Sequence, residues 1–209
     1  MRLVLAAESM IWIRQAQRVI FGIAILLLSY SGFVLADAWV FQSRANVRLG
    51  QMLRDDAGTQ SPQPEVAEAI FPKASPAPVE GGLIGRLAIS RLGISVMVME
   101  GDSEIMLRRA AGHIVGTAAP GQPGNVGIAA HRDSFFRPLR NIRDDDVITL
   151  TTPGGEFRYR VVSTSIVRPD DVSVLDSDSH EILTLVTCYP FYFVGPAPDR
   201  FIVRAERID

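Results

Sequence analysis

The sequence has almost no cysteine. Cys188 stands alone among 209 residues, which excludes an internal disulfide framework and leaves one free thiol to be explained. Excess positive charge is missing too. There are 21 Lys and Arg against 23 Asp and Glu, for a net charge of −2 and a pI near 5.9, so the basic face of a nucleic-acid-binding protein is not expected. Internal repeats are absent. No metal-ligand cluster or cofactor motif is visible, so neither a metal nor an organic cofactor is expected.

What the N-terminus does have is a long apolar run. Val19 to Ala36 carries no charge and is rich in Ile, Leu, Phe and Val, about long enough to cross the hydrocarbon core of a bilayer. Arg2, Arg14 and Arg18 precede it against the single acid Glu8, which places the N-terminus in the cytoplasm and the rest outside. A cleaved signal peptide is the alternative, since Ala36-Asp-Ala38 resembles a cleavage site, but the apolar stretch is longer than the usual h-region. The expected layout is a cytoplasmic segment 1–18, a transmembrane anchor 19–40, an extracytoplasmic stalk and linker 41–80, and one domain at 81–209.

Asp55 to Glu80 contains Pro62, Pro64, Pro72, Pro76 and Pro78 among Ala, Ser, Gln and acids, the composition of a semi-rigid tether. A short helix over Glu65–Ile70 is an even alternative there. The following 81–209 segment is large enough for its own core and is punctuated as an all-β fold. Strands are expected at Leu83–Ile89, Ile94–Met99, Val126–Ala130, Val147–Thr152, Phe157–Val167, Ile182–Cys188 and Phe201–Ala205, separated by Gly and Pro turns, which suggests a closed or nearly closed barrel. Only Ser103–Ala111 reads as a helix, with Ser103 as N-cap.

A cysteine nucleophile requires a base or an electropositive neighbour to form its thiolate. His180 lies eight residues before Cys188 on the same expected strand, roughly 26 Å away at about 3.3 Å per residue, so it is excluded. His113 reads as a hydrogen-bonded structural histidine. His131 ends the run Asn125-Val-Gly-Ile-Ala-Ala-His131 beside small residues that leave space for a substrate; it is either the partner or a partly exposed loop histidine. Arg200 opens the last expected strand, twelve residues after Cys188. If the two strands are neighbours, its permanent charge can stabilise an oxyanion; otherwise it is a solvated strand-end charge.

Thr184-Leu-Val-Thr-Cys188 resembles the TLxTC signature of sortases, membrane-anchored cysteine transpeptidases. Gly112-His-Ile-Val-Gly-Thr-Ala118, Pro120-Gly-Gln-Pro-Gly-Asn-Val126 and Ala130-His-Arg-Asp-Ser-Phe-Phe136 resemble the segment bearing that family's histidine, and Arg200-Phe-Ile-Val-Arg-Ala205 its closing arginine strand. Cys188-Tyr-Pro-Phe-Tyr-Phe-Val-Gly-Pro-Ala-Pro is most similar to class D and Gram-negative-type sortases. The resemblance implies a closed eight-stranded barrel with one short helix, with Cys188 as nucleophile, His131 as general acid and base and Arg200 as carbonyl and oxyanion stabiliser. It implies cleavage of an LPxTG-like C-terminal sorting signal on a secreted protein through a thioester, then transfer to an amine on cell-wall peptide or a protein subunit. A thiol peptidase that hydrolyses the acyl-enzyme is the alternative.

Two departures stand out. The family motif often reads Gly-His-Arg where this chain has Ala130-His-Arg132, an added methyl that should be harmless unless the strand approaches substrate there. Asp144-Asp-Asp146 invites a calcium site, but three consecutive acids before a strand read as a solvated turn whose side chains do not converge. Thr187, facing away from Cys188's side of the strand, is expected to be structural.

Overall fold

The structure, a computed structural model, describes residues 2–59, 81–177, 179–193 and 195–208. Most of the expected tether, including the helix considered at Glu65–Ile70, therefore lies outside the described residues. The chain divides into two compact units, Met1–Val40 and Phe41–Asp209. The first is the leading part of one long helix, α1 (Arg2–Thr59), which includes a stretch with mean hydropathy 2.4, long and apolar enough to cross a membrane.

The second unit is a barrel of β1 (Leu83–Ile89), β2 (Ile94–Glu100), β3 (Ala111–His113), β4 (Gly124–Ala129), β5 (Val147–Thr152), β6 (Gly155–Val167), β7 (Glu181–Tyr189) and β8 (Asp199–Arg207). The sheet closes in the order β1-β2-β3-β4-β7-β8-β6-β5, with β5 returning to β1. The all-β, eight-stranded expectation holds. The eighth strand is β3, of which the helical reading of Ser103–Ala111 takes in only the first residue. The observed helix α2 is only Glu104–Leu107, with the Met106 N–H donating to the Ser103 side chain as the cap; Ala110 and Ala111 are fully buried and belong to the barrel wall.

Alternation decides which side chains fill the interior. In β5, Ile148, Leu150 and Thr152 point inward while their neighbours are half-exposed. Together with Leu87, Ile89, Val96, Val98, Val126, Ile128, Leu183, Leu185, Val203 and Ala205, Ile148 and Leu150 form one apolar core. Burying each such side chain contributes about 1.5–3 kcal/mol.

β2 and β7 depart from alternation because their outer faces are covered as well. Over β2 lies the second half of α1: Ala45 and Leu49, one turn apart, pack on Met97, flanked by Leu53 and Leu83. Gln42 Oε1 accepts from the Met97 N–H at 2.8 Å, and its amide donates to the Arg109 carbonyl at 2.7 Å. The sequence reading took residues from 41 onward as stalk and linker; here 41–59 are helical and part of them covers the barrel wall. The stripe Ala45, Leu49, Leu53 is too short and too diluted by Arg and Gln to stand out from linker composition.

Asp146 also departs from expectation. It is 8% exposed rather than solvated. Arg91, in the turn between β1 and β2, grips both of its oxygens at 2.5 Å, and the Arg143 N–H donates to it at 2.8 Å. That turn is closed by Gly93 at φ 65, a left-handed position suited to glycine. The Arg91 hydrogen bond, reinforced by the Arg143 N–H and charge attraction, holds the Asp146 carboxyl below its ordinary 3.8 against the opposing effect of burial.

Candidate active site

β7 delivers Cys188 to its penultimate position, and β8 begins one residue before Arg200. The two strands are antiparallel neighbours with Cys188 directly opposite Arg200. Directly opposed residues project to the same face, with Cβ atoms about 4.5–5.5 Å apart. Since Leu183, Leu185, Val203 and Ala205 fill the interior, Cys188 and Arg200 stand on the outer face. Arg204 pairs instead with Thr184, four residues from Cys188, or about 13 Å along the strand.

β4 runs parallel to β7, with Ala129 beside Val186. The contact continues beyond the strand: the Ala130 N–H donates to Val186 O at 3.2 Å and the Thr187 hydroxyl to Ala130 O at 2.8 Å. His131 follows Ala130 directly, two residues past the end of β4, the strand that adjoins the one bearing Cys188. His131 is half-buried and opens a tight turn, its carbonyl accepting from the Phe136 N–H at 3.1 Å. Thr187 is the inward structural residue expected of it, and the Ala130 methyl lies in the core, away from the face that carries Cys188.

The other histidines are elsewhere. His113 is 2% exposed, with Glu100 Oε2 2.7 Å from Nδ1 and Ala118 O 2.9 Å from Nε2, so one ring nitrogen is engaged with the end of β2 and the other with the β3–β4 loop. His180 precedes the far end of β7 and contacts Ser179 Oγ.

A roof covers the outer face behind the thiol. Thr184 donates to Asn125 Oδ1 at 2.7 Å, and Asn125 Nδ2 donates to the carbonyls of Val174 and Asp176 at 3.0 and 3.3 Å. These contacts draw the β6–β7 loop over Thr184, which is fully buried. Gly127 lies under the same roof, where a Cβ would approach Thr117, Leu175 and Ile114 at 3.0–3.2 Å. Cys188 and Arg200 are only half-buried, so the outer face opens at the end of the strands that carries them.

Sequence reasoning gave Arg132 no role of its own, although it is 5% exposed. Its guanidinium donates to the carbonyls of Pro190, Phe193 and Gly195 at 2.7, 2.7 and 3.2 Å, and lies 5.9 Å from the Phe193 ring centroid. An arginine beside a strand-end histidine gives no signal in sequence that it is buried. Asp144, Asp145 and Asp146 do not share a site, and among the described residues no group of three His, Cys, Asp or Glu converges as for a metal.

A barrel with a half-buried thiol opposite a guanidinium, and a histidine at the end of the adjoining strand, has the parts of a cysteine-dependent acyl-transfer enzyme. Comparison with known proteins gives the family. A model described as the Sortase domain matches residues 87–208, and the chain belongs to the sortase family of cysteine transpeptidases, which anchor or link proteins. It is 30% identical to Sortase D of Bacillus subtilis (strain 168) over 197 residues, covering 90% of this chain and 96% of that one. It is 31% identical to Sortase SrtE1 of Streptomyces coelicolor over 138 residues, 56% of this chain and 39% of that one. Among solved structures, a Clostridium perfringens sortase D5 transpeptidase aligns with TM-score 0.65 at 23% identity, covering 81% of this chain and 99% of that one. Sortase C1 from Streptococcus agalactiae aligns with TM-score 0.57 at 28% identity, covering 61% and 68%. Within the family the resemblance runs to class D.

Proposed function

We propose that the protein cleaves an LPxTG-like sorting signal near the C-terminus of a secreted protein and transfers the new acyl end to an amine, on cell-wall peptide or a protein subunit. The observation that carries this reading is the cross-strand pairing of Cys188 with Arg200, beside the strand end that presents His131. The Cys188 thiolate attacks the backbone carbonyl carbon, and Arg200 donates to the oxygen as negative charge develops there. Protonated His131 gives its proton to the leaving amine as the C–N bond breaks, leaving a thioester on Cys188. The incoming amine attacks the thioester, His131 takes its proton, and the thiolate departs with a new amide formed. Proton transfer of this kind contributes about 10²–10⁴-fold.

The apolar part of α1 supports a single-pass anchor at 19–40, with 1–18 cytoplasmic and the catalytic region 81–209 outside the membrane or in the periplasm. Residues 41–80 connect the two, and their helical portion rests on the barrel.

Intact-mass spectrometry of the full chain in detergent tests the reading, using a library of sorting peptides with and without an added amine. A Cys188 adduct that converts to amide is expected. Free acid as the dominant product in the presence of amine would favour a thiol peptidase, and no adduct with any peptide would reject both.

A further inference from the structure

Arg132 and Arg200 are joined through the same loop. The β7–β8 connection leaves the sheet at Tyr189 and returns at Asp199. Over its first part Arg132 donates to the carbonyls of Pro190, Phe193 and Gly195. At its end Arg200 Nη1 donates to the carbonyls of Ala197 and Asp199 at 3.4 and 3.0 Å. The guanidinium that would meet the substrate oxygen is thus oriented by loop backbone that a second, buried guanidinium holds.

The chemistry of Arg132 suits this role. Removing a cation from water is costly unless its donors are satisfied, and a planar fork with fixed donor directions can bind several carbonyls at once where an ammonium cannot. The acid beside it, Asp133, lies 3.5 Å from Nε and is 72% exposed, so the backbone carbonyls are its closest partners. The loop is fastened by rings as well. Phe191 packs edge-on against Phe201 and Tyr189, with centroids 5.2 and 6.0 Å apart, and Arg140 lies over the Tyr192 ring at 5.5 Å.

The geometry points to Arg132 as a positioning residue for Arg200: it shapes the β7–β8 loop so that the Arg200 guanidinium is in place for the oxyanion before substrate arrives. This rests on the transpeptidase reading and goes beyond it, because the partners of Arg132 are loop carbonyls rather than the thiol. Preorganised donors lower the barrier to the extent that they need not move during reaction. The His131-Arg132 dipeptide then serves the site twice, the first residue in proton transfer and the second through the loop.

A double-mutant cycle tests the coupling, using the full chain in detergent with a sorting peptide and an amine. R132K should lower kcat by about 10- to 100-fold, the range expected when a reacting group is displaced by about an ångström, with KM within about twofold. R200A should lower kcat by about 10²–10³-fold, and adding R132K to it should cost no more than about threefold further, since the position of an absent group no longer matters. Amide exchange across 190–198 should rise in R132K without substrate. If R132K does not fold, F193A removes only the ring beside the guanidinium and keeps its carbonyl acceptors, and should show a smaller, still kcat-selective loss. Additive losses, unchanged kcat, or a rise in KM alone would overturn the inference while leaving the transpeptidase reading intact. A wild type that acylates with no peptide would overturn that reading and the inference resting on it.

Discussion

Cys188 and Arg200 occupy directly opposed positions on β7 and β8. Because cross-strand partners share a face, backbone pairing sets thiol and guanidinium side by side, although twelve positions of chain separate them. Both residues are held by the ends of hydrogen-bonded strands, and each can be tested separately.

Replacing Arg200 by lysine keeps the charge but loses the planar fork. Acyl-enzyme formation, followed by rapid-quench mass spectrometry, should fall by about 10²–10³-fold, and C188A should abolish the adduct. A lysine variant with wild-type rates would remove Arg200 from oxyanion stabilisation.

The proposed mechanism gives proton transfer to His131, so its importance should depend on the leaving group. H131A should lower peptide acylation by about 10²–10⁴-fold. The loss should be much smaller for an activated peptide ester, whose leaving group departs without a proton. Equal losses on both substrates would argue for a structural role.

Asp146 makes a signed prediction for stability against pH. Its folded-state pKa is lowered, first by the hydrogen bond from Arg91. The stabilisation is therefore fully present above the unfolded value near 3.8 and is lost as pH falls through the lower folded value. D146N, which leaves the Arg91 donors without their charged acceptor, should cost about 1–3 kcal/mol at neutral pH. Thermal melts between neutral and acid pH should show the wild type converging on D146N; parallel curves would contradict the assignment.

Asn125 ties β4, β7 and the loop at 173–176 into one network. N125A should cost about 1–3 kcal/mol by leaving the buried Thr184 hydroxyl and two carbonyls short of partners. It should also open the β6–β7 loop to limited proteolysis at its roof. Unchanged protease resistance would mean that other contacts hold the roof.

The helical segment over β2 predicts that the domain needs more than its barrel residues. A fragment beginning at residue 81 exposes Met97 and strips the Met97 N–H of Gln42. It should melt lower than one beginning at residue 41, and L49A in the full chain should cost about 2–5 kcal/mol. Equal melting points would show that the contact contributes little.

Most strands were legible because their positions alternate or run apolar between Gly and Pro turns. β5 was placed from end to end, and β7 and β8 to within two residues at either end. β3 was not, because Ala111-Gly-His113 is too short to show a period and follows a capped helical turn. Asp146 was misjudged because burial of an acid depends on a partner 55 residues away. The helical continuation of α1 to Thr59 was not legible because an amphipathic stripe is meaningful only opposite the surface it covers.

By itself the sequence determined what is local or compositional: a lone thiol at a strand end, an apolar N-terminal run, the turn residues that cut the domain into short strands, and motifs that name a family. Tertiary structure decided everything that requires two distant segments to meet. Strand order, which follows from packing a closed barrel rather than from any one segment, sets Arg200 opposite Cys188 and brings the end of β4 alongside. It also buries Arg132 beneath the β7–β8 loop, because only the closed sheet brings that loop's carbonyls within reach of a residue 58 positions earlier in the chain.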